Sequence, residues 1–171
     1  MRLFFALWPG EAVRARLARC ARELRAPCGG RPVPARRLHM TLAFVGSVDE
    51  ERIAEVERAG SEVTPRAMSL VLDQPGYWKH NRIVWAGASA PPPELEELVS
   101  GLRGALARSR IGFDPKPFAA HVTLLRDARK PRAMPALEPI AWEVAGFALL
   151  RSQLQPAGGD YEIVNSWKAA P

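Results

Sequence analysis

The tetrad His-x-Thr-Leu occurs twice, as His39-Met40-Thr41-Leu42 and His121-Val122-Thr123-Leu124, in a chain of 171 residues with three histidines. The copies lie 82 residues apart, close to half the length. A strand projects residues i and i+2 from one face, about 6.5–7 Å apart along the chain. Each copy therefore aims an imidazole and a hydroxyl one way, while Met40/Leu42 or Val122/Leu124 enter a core. A lone His-x-Thr on a strand is ordinarily a packed or surface pair. Recurrence with the same fourth residue makes a duplicated functional unit the better reading.

The surroundings repeat as well. Leu3 to Trp8 reads as a buried strand that stops at Pro9-Gly10, and Glu11 to Ala26 carries Val13, Leu17, Cys20 and Leu24 at helical spacing. Arg31-Pro32-Val33-Pro34 then leads to a strand from about His39 to Val45. Asp49 caps an expected short helix running to Gly60. Ala67–Leu72 and Arg82–Ala86 read as the two arms of a hairpin, joined by a loop at 74–81. After Pro91-Pro92-Pro93, a second long helix to about Ser109 precedes Asp114–Phe118 and a strand from Ala119 to Leu125. Residues 129–139 form a Pro-rich loop, 140–154 supply strand material, 156–160 a turn, and 161–167 a last strand. Strand, long helix, Pro-x-Pro and His-x-Thr strand thus recur in one order. Residues 1–171 are expected to form a single domain of two similar intertwined lobes, with both motif strands at one central cleft.

Composition narrows the partners. Of 24 basic residues only four are lysine, and the net charge is +6. Arginine pairs with phosphate through two parallel hydrogen bonds and stacks on bases, so the balance suits a nucleic-acid or nucleotide partner. A high-GC coding bias enriches arginine too, so charge supports that partner without establishing it. Cys20 and Cys28 match no zinc or redox spacing, and Cys20 falls on the apolar helix face as a buried thiol. The opening apolar run is too short for a secretory signal, and no stretch approaches 18 apolar residues. A cytoplasmic, monomeric protein with no membrane contact is expected.

Imidazole titrates near pH 6.5, so a pair with one ring neutral and one protonated can deprotonate a nucleophile and protonate a leaving oxygen. Thr41 and Thr123 can hold the non-bridging oxygens of a phosphate between the histidines. Arg126 can join them, although strict alternation points it away from His121 and Thr123 unless the strand bends or ends there. The eighteen carboxylates form no compact cluster beside either motif. No Gly-rich phosphate loop or nucleophile elbow is present, and the expected site needs neither metal nor cofactor. Tyr77, Trp78, Phe118 and Tyr161, in loops or turns beside the expected cleft, are candidates for base stacking. Phe4, Phe5 and Trp8 read as core, and His80 as a surface residue.

Beyond the tetrads, the chain carries Arg2-Leu3-Phe4-Phe5-Ala6-Leu7, His39 through Gly46, Arg82-Ile83-Val84-Trp85-Ala86-Gly87, and His121 through Arg126. With these it resembles the two-histidine (2H) phosphoesterases, in particular the RNA 2′,3′-cyclic phosphodiesterases also described as 2′–5′ RNA ligases (LigT/ThpR group). The departures are Val45, where that family often has Leu, and Leu125, where it often has a small residue. The resemblance implies an α+β, bilobal pseudo-two-fold fold with antiparallel sheets lining a cleft and helices outside. It implies hydrolysis of a 2′,3′-cyclic phosphate on an RNA end to a 2′-phosphomonoester, with His39 as proton donor and His121 as proton acceptor. Residue spacing alone leaves those two roles exchangeable. Three alternatives use the same residues: 2′–5′ joining of tRNA halves, opening of small cyclic nucleotides, and RNA binding without catalysis.

Overall fold

A computed structural model describes residues 2–152 and 159–170. The chain runs β1 (Arg2–Leu7), α1 (Glu11–Cys28), β2 (Arg31–Pro32), β3 (Met40–Ser47), α2 (Ile53–Ser61), β4 (Met68–Leu72), β5 (Gln74–Trp78), β6 (Ile83–Gly87), α3 (Pro93–Arg108), β7 (His121–Arg126), β8 (Ile140–Val144), β9 (Gly146–Ser152) and β10 (Tyr161–Lys168). The expected turn at 156–160 falls largely outside the described residues.

The strands form two antiparallel four-stranded sheets, ordered β10-β9-β1-β3 and β2-β7-β6-β5, and a separate β4-β8 pair. Each motif strand lies beside the strand that opens its half of the chain, β3 on β1 and β7 on β6. The long helices cross over: α1 packs against β7, and α3 against β3. The segments that follow them cross too. The Val33 amide donates to the Leu124 carbonyl at 2.9 Å, and the Asp114 amide donates to the Phe44 carbonyl at 2.8 Å. Gly30 makes the first approach possible, because it takes φ +79 and a Cβ there would overlap the Arg126 carbonyl.

Helix periodicity explains the packing. In α1, Leu17, Cys20, Ala21, Leu24 and Cys28 are buried at i, i+3, i+4, i+7 and i+11. The helix carries Pro27 in its final turn and ends at Cys28, two residues beyond the expected stop, with Gly29 as its cap. One buried cluster runs from Leu3, Phe5 and Leu7 of the first sheet to Val84, Val122 and Leu124 of the second. A smaller one, Phe4, Ala6, Ala148 and Leu150, covers the other face of β1.

The expected hairpin is corrected. Ala67–Leu72 does not pair with Arg82–Ala86; β4 pairs with β8, Leu70 opposite Trp142. Both of those strands alternate buried and exposed, so the pattern identifies strands but not their partner. The hairpin is β5–β6: its second arm is the expected strand at 82–86, and its first arm comes from the expected loop at 74–81. Pro75 is tolerated because β5 is an edge strand. Gly76 is required because a Cβ there would overlap the Trp85 indole. Asp49 precedes the turn into α2 but makes no side-chain cap bond.

Candidate active site

His39, Thr41, His121 and Thr123 line one cleft of about 470 Å³, with Arg126 and Tyr161 on its wall. Both histidines are held in the same way. The Nδ1–H of His39 donates to the Arg37 carbonyl at 2.7 Å, and that of His121 donates to the Ala119 carbonyl at 2.7 Å. In each copy the acceptor is two residues upstream, which fixes one tautomer and leaves Nε2 for chemistry. The Thr41 hydroxyl lies 3.1 Å from the His39 Nε2 and donates to it when the ring is neutral.

Arg126 reaches the cleft through a β-bulge. Val84 pairs with Leu125 and Trp85 with Thr123, so Leu124 is the extra residue on β7. Leu124 and Leu125 are therefore both buried, and Arg126 returns to the side of His121 and Thr123. The same break occurs on β3, where Phe5 pairs with Ala43 and Ala6 with Thr41, leaving Leu42 extra. Leu42 and Ala43 are both buried, and Phe44 turns into the cleft with 40% of its surface exposed. Phe44 and Arg126 thus hold corresponding positions, five residues after each histidine. The sign of this was present in the sequence: each Thr is followed by two apolar residues where alternation demands one.

Each imidazole rests on aromatic rings. His39 meets Phe4 (4.9 Å between centroids), Tyr161 (5.1 Å) and Trp8 (6.1 Å). His121 meets Trp78 edge-on at 4.5 Å, and Trp78 leans on Trp85 at 5.4 Å. Burial drives the His39 pKa down to about 4, with the charges of Arg126, His121 and Arg37 adding to it and the Arg37 carbonyl opposing it. Burial lowers the His121 pKa as well, against the Ala119 carbonyl. Free of ligand, both rings are neutral at neutral pH. A phosphate anion between them restores proton affinity to both.

The other candidates divide. Tyr161 forms a wall, edge-on to His39, with the Arg37 guanidinium 4.9 Å above its ring. Trp78 and Phe118 line a groove that adjoins the cleft and shares His121 and Thr41 with it. Tyr77 is a correction: it packs against the core and directs its hydroxyl to the Ala128 carbonyl at 3.4 Å. On β5 it alternates with Trp78, so once Trp78 faces His121, Tyr77 faces inward. Phe4 is a core residue and Trp8 a half-buried one packed against the same cluster, and both rings touch His39. His80 is exposed, on the rim of the groove.

Sequence reasoning missed Phe44 and also Arg2, Arg31 and Arg37, which line the cleft. Arg31 is held by the Asp127 carboxylate at 2.9 Å. Arg37 had no readable signal: it ends a short 3-10 turn at Ala35–Arg37 before β3 begins, so strand alternation does not reach it. Among the described residues, no group of three or more His, Cys, Asp or Glu side chains is placed to hold a metal, and no helix is long and apolar enough to cross a membrane.

Residues 7–85 match the family model of LigT-like phosphoesterases. The chain is 37% identical over 168 residues to an RNA 2′,3′-cyclic phosphodiesterase of Escherichia coli, covering 97% of this chain and 95% of that protein. It is 34% identical to the protein of the same name from Thermus thermophilus, covering 98% of this chain and 89% of the other. The crystal structure of E. coli LigT complexed with 3′-AMP superposes with a TM-score of 0.90 at 32% identity, covering 99% of this chain and 98% of that one.

Proposed function

Because the chain belongs to the LigT-like phosphoesterases, we propose that it opens the 2′,3′-cyclic phosphate of RNA ends to a 2′-phosphomonoester through His39 and His121. The observation that carries this is the convergence of both imidazoles, both threonine hydroxyls and Arg126 on one cleft, with each Nδ1–H tied to the carbonyl two residues back. The same proposal makes it a monomeric enzyme of the cytoplasm, a single domain of two lobes, and what supports the last part is the packing of α1 on β7 and of α3 on β3.

The proposed chemistry uses the two rings in opposite senses, in the roles that the family resemblance implies. The His121 Nε2 takes a proton from water, and the water oxygen attacks phosphorus. The bond from phosphorus to the 3′ oxygen breaks, and His39 delivers its Nε2 proton to that oxygen. The 2′ ester survives. Thr41, Thr123 and the Arg126 guanidinium hold the non-bridging oxygens as negative charge gathers there. An in-line displacement needs its acid and base on opposite sides of phosphorus, and two similar motif strands facing one cleft supply that. After turnover His39 has lost a proton and His121 has gained one, and exchange with solvent resets both.

The regiochemistry tests the assignment. With an oligonucleotide ending in a 2′,3′-cyclic phosphate, the product is expected to gain one water and to carry its phosphate on the 2′ oxygen, as read by mass spectrometry and phosphorus NMR. A 3′-phosphate product would overturn the assigned roles, and no reaction would overturn the function.

A further inference from the structure

A groove of about 420 Å³ leads out of the cleft, and the two share Thr41, Phe44 and His121 as walls. It therefore begins where the scissile phosphate is held. Phe44 presents an exposed ring at its mouth, Trp78 forms one side, and Phe118 forms another. Half-buried or exposed rings facing an open groove are platforms on which any base can stack.

Its outer end carries charge on a braced segment. Arg103 of α3 donates to the Lys116 carbonyl at 2.8 Å, and the Lys116 amide donates to Asp114 at 3.1 Å. With Pro115 and Pro117 on either side of Lys116, the wall is stiff before anything binds. The Lys116 ammonium stays 84% exposed, 3.5 Å from Asp114, available to a phosphodiester. Counting Arg103, Lys116 and Asp114, the groove is net positive.

We propose that this groove holds the nucleotide that precedes the cyclic-phosphate end, so that the enzyme favours ends of RNA chains over free cyclic mononucleotides. A cyclic mononucleotide has one phosphorus and one base, and the catalytic cleft, at about 470 Å³, is of a size to take both. Only a longer substrate offers a second base to Phe118 and a second phosphate to Lys116. The proposal rests on the cyclic phosphodiesterase reading and adds to it a subsite for the second nucleotide.

The test is the ratio of kcat/KM for a dinucleotide ending in a 2′,3′-cyclic phosphate to that for adenosine 2′,3′-cyclic phosphate. One stacked base and one phosphate contact are expected to give a ratio of about ten or more in the unaltered protein. Phe118→Ala should bring the ratio toward one. Lys116→Ala, at an exposed position that leaves folding intact, should lower it and weaken its dependence on salt. A ratio near one in the unaltered protein, or a ratio that neither substitution changes, would overturn the groove assignment while leaving the function standing. If neither substrate is opened, both readings fail together.

Discussion

At the scale of single residues, the environments of His39 and His121 make pH dependence the most revealing property. The proposed mechanism requires one imidazole neutral and one protonated, and kcat/KM reports the free protein's groups. Burial lowers both pKa values, that of His39 to about 4, so the kcat/KM optimum is expected below pH 6.5. Tyr161→Ala opens one wall of the His39 site to water, which raises that pKa and moves the optimum upward. Titration of the His39 ring proton by NMR checks the cause; an unmoved titration curve would contradict it. Stability follows the same sign. Unfolded histidine binds a proton near pH 6.5 while folded His39 resists until about 4, so folding free energy is lost as pH falls through that window.

In the proposed mechanism Thr41 and Thr123 contribute neutral hydrogen bonds and Arg126 a charge. Thr41→Ala and Thr123→Ala should each cost less than Arg126→Ala in kcat/KM, with the arginine loss on the order of a hundredfold. An Arg126→Ala variant with near-normal kcat/KM would remove the guanidinium from the mechanism.

At the scale of elements, the bulge decides what faces the substrate. Period-two alternation places Arg126 away from His121, and the doubled apolar pair Leu124-Leu125 reverses it. The histidines, the threonines and the long helices were legible because they obey local periodicity. The partner of β4 was not legible, since it lies about 70 residues away and pairing is chosen by the whole core. Tyr77 was misread for a related reason: Pro75-Gly76 resembles a loop until the Trp85 indole is seen to occupy the space a side chain would take. That gives an element-scale prediction. Gly76→Val forces the Trp85 indole off β5 and disturbs Trp78, which backs His121. Overpacking of this kind costs about 1–3 kcal/mol. The variant should melt earlier in a thermal scan and turn over more slowly, and a normal melting temperature would show that the indole has room to move.

At the scale of the molecule, the crossing of α1 onto β7 and α3 onto β3 means that neither half buries its core alone. Unfolding is expected as one cooperative transition, with tryptophan fluorescence and far-UV dichroism coincident in urea. Two separated transitions would show lobes that fold independently. This crossing also brings two similar strands to one cleft, which no single motif could accomplish. The repeat in the sequence predicted the meeting of the histidines. The exchange of helices needs packing information that periodicity does not carry.

The central claim, that two imidazoles from the two halves act together on one cyclic phosphate, is tested most directly by turnover of His39→Ala and His121→Ala. The substrate is an oligonucleotide ending in a 2′,3′-cyclic phosphate, with each variant's fold checked by its melting curve. Each substitution alone should lower kcat by at least about a hundredfold, and the double variant should be little worse than either. A folded single variant that opens the cyclic phosphate at close to the normal rate would contradict the account.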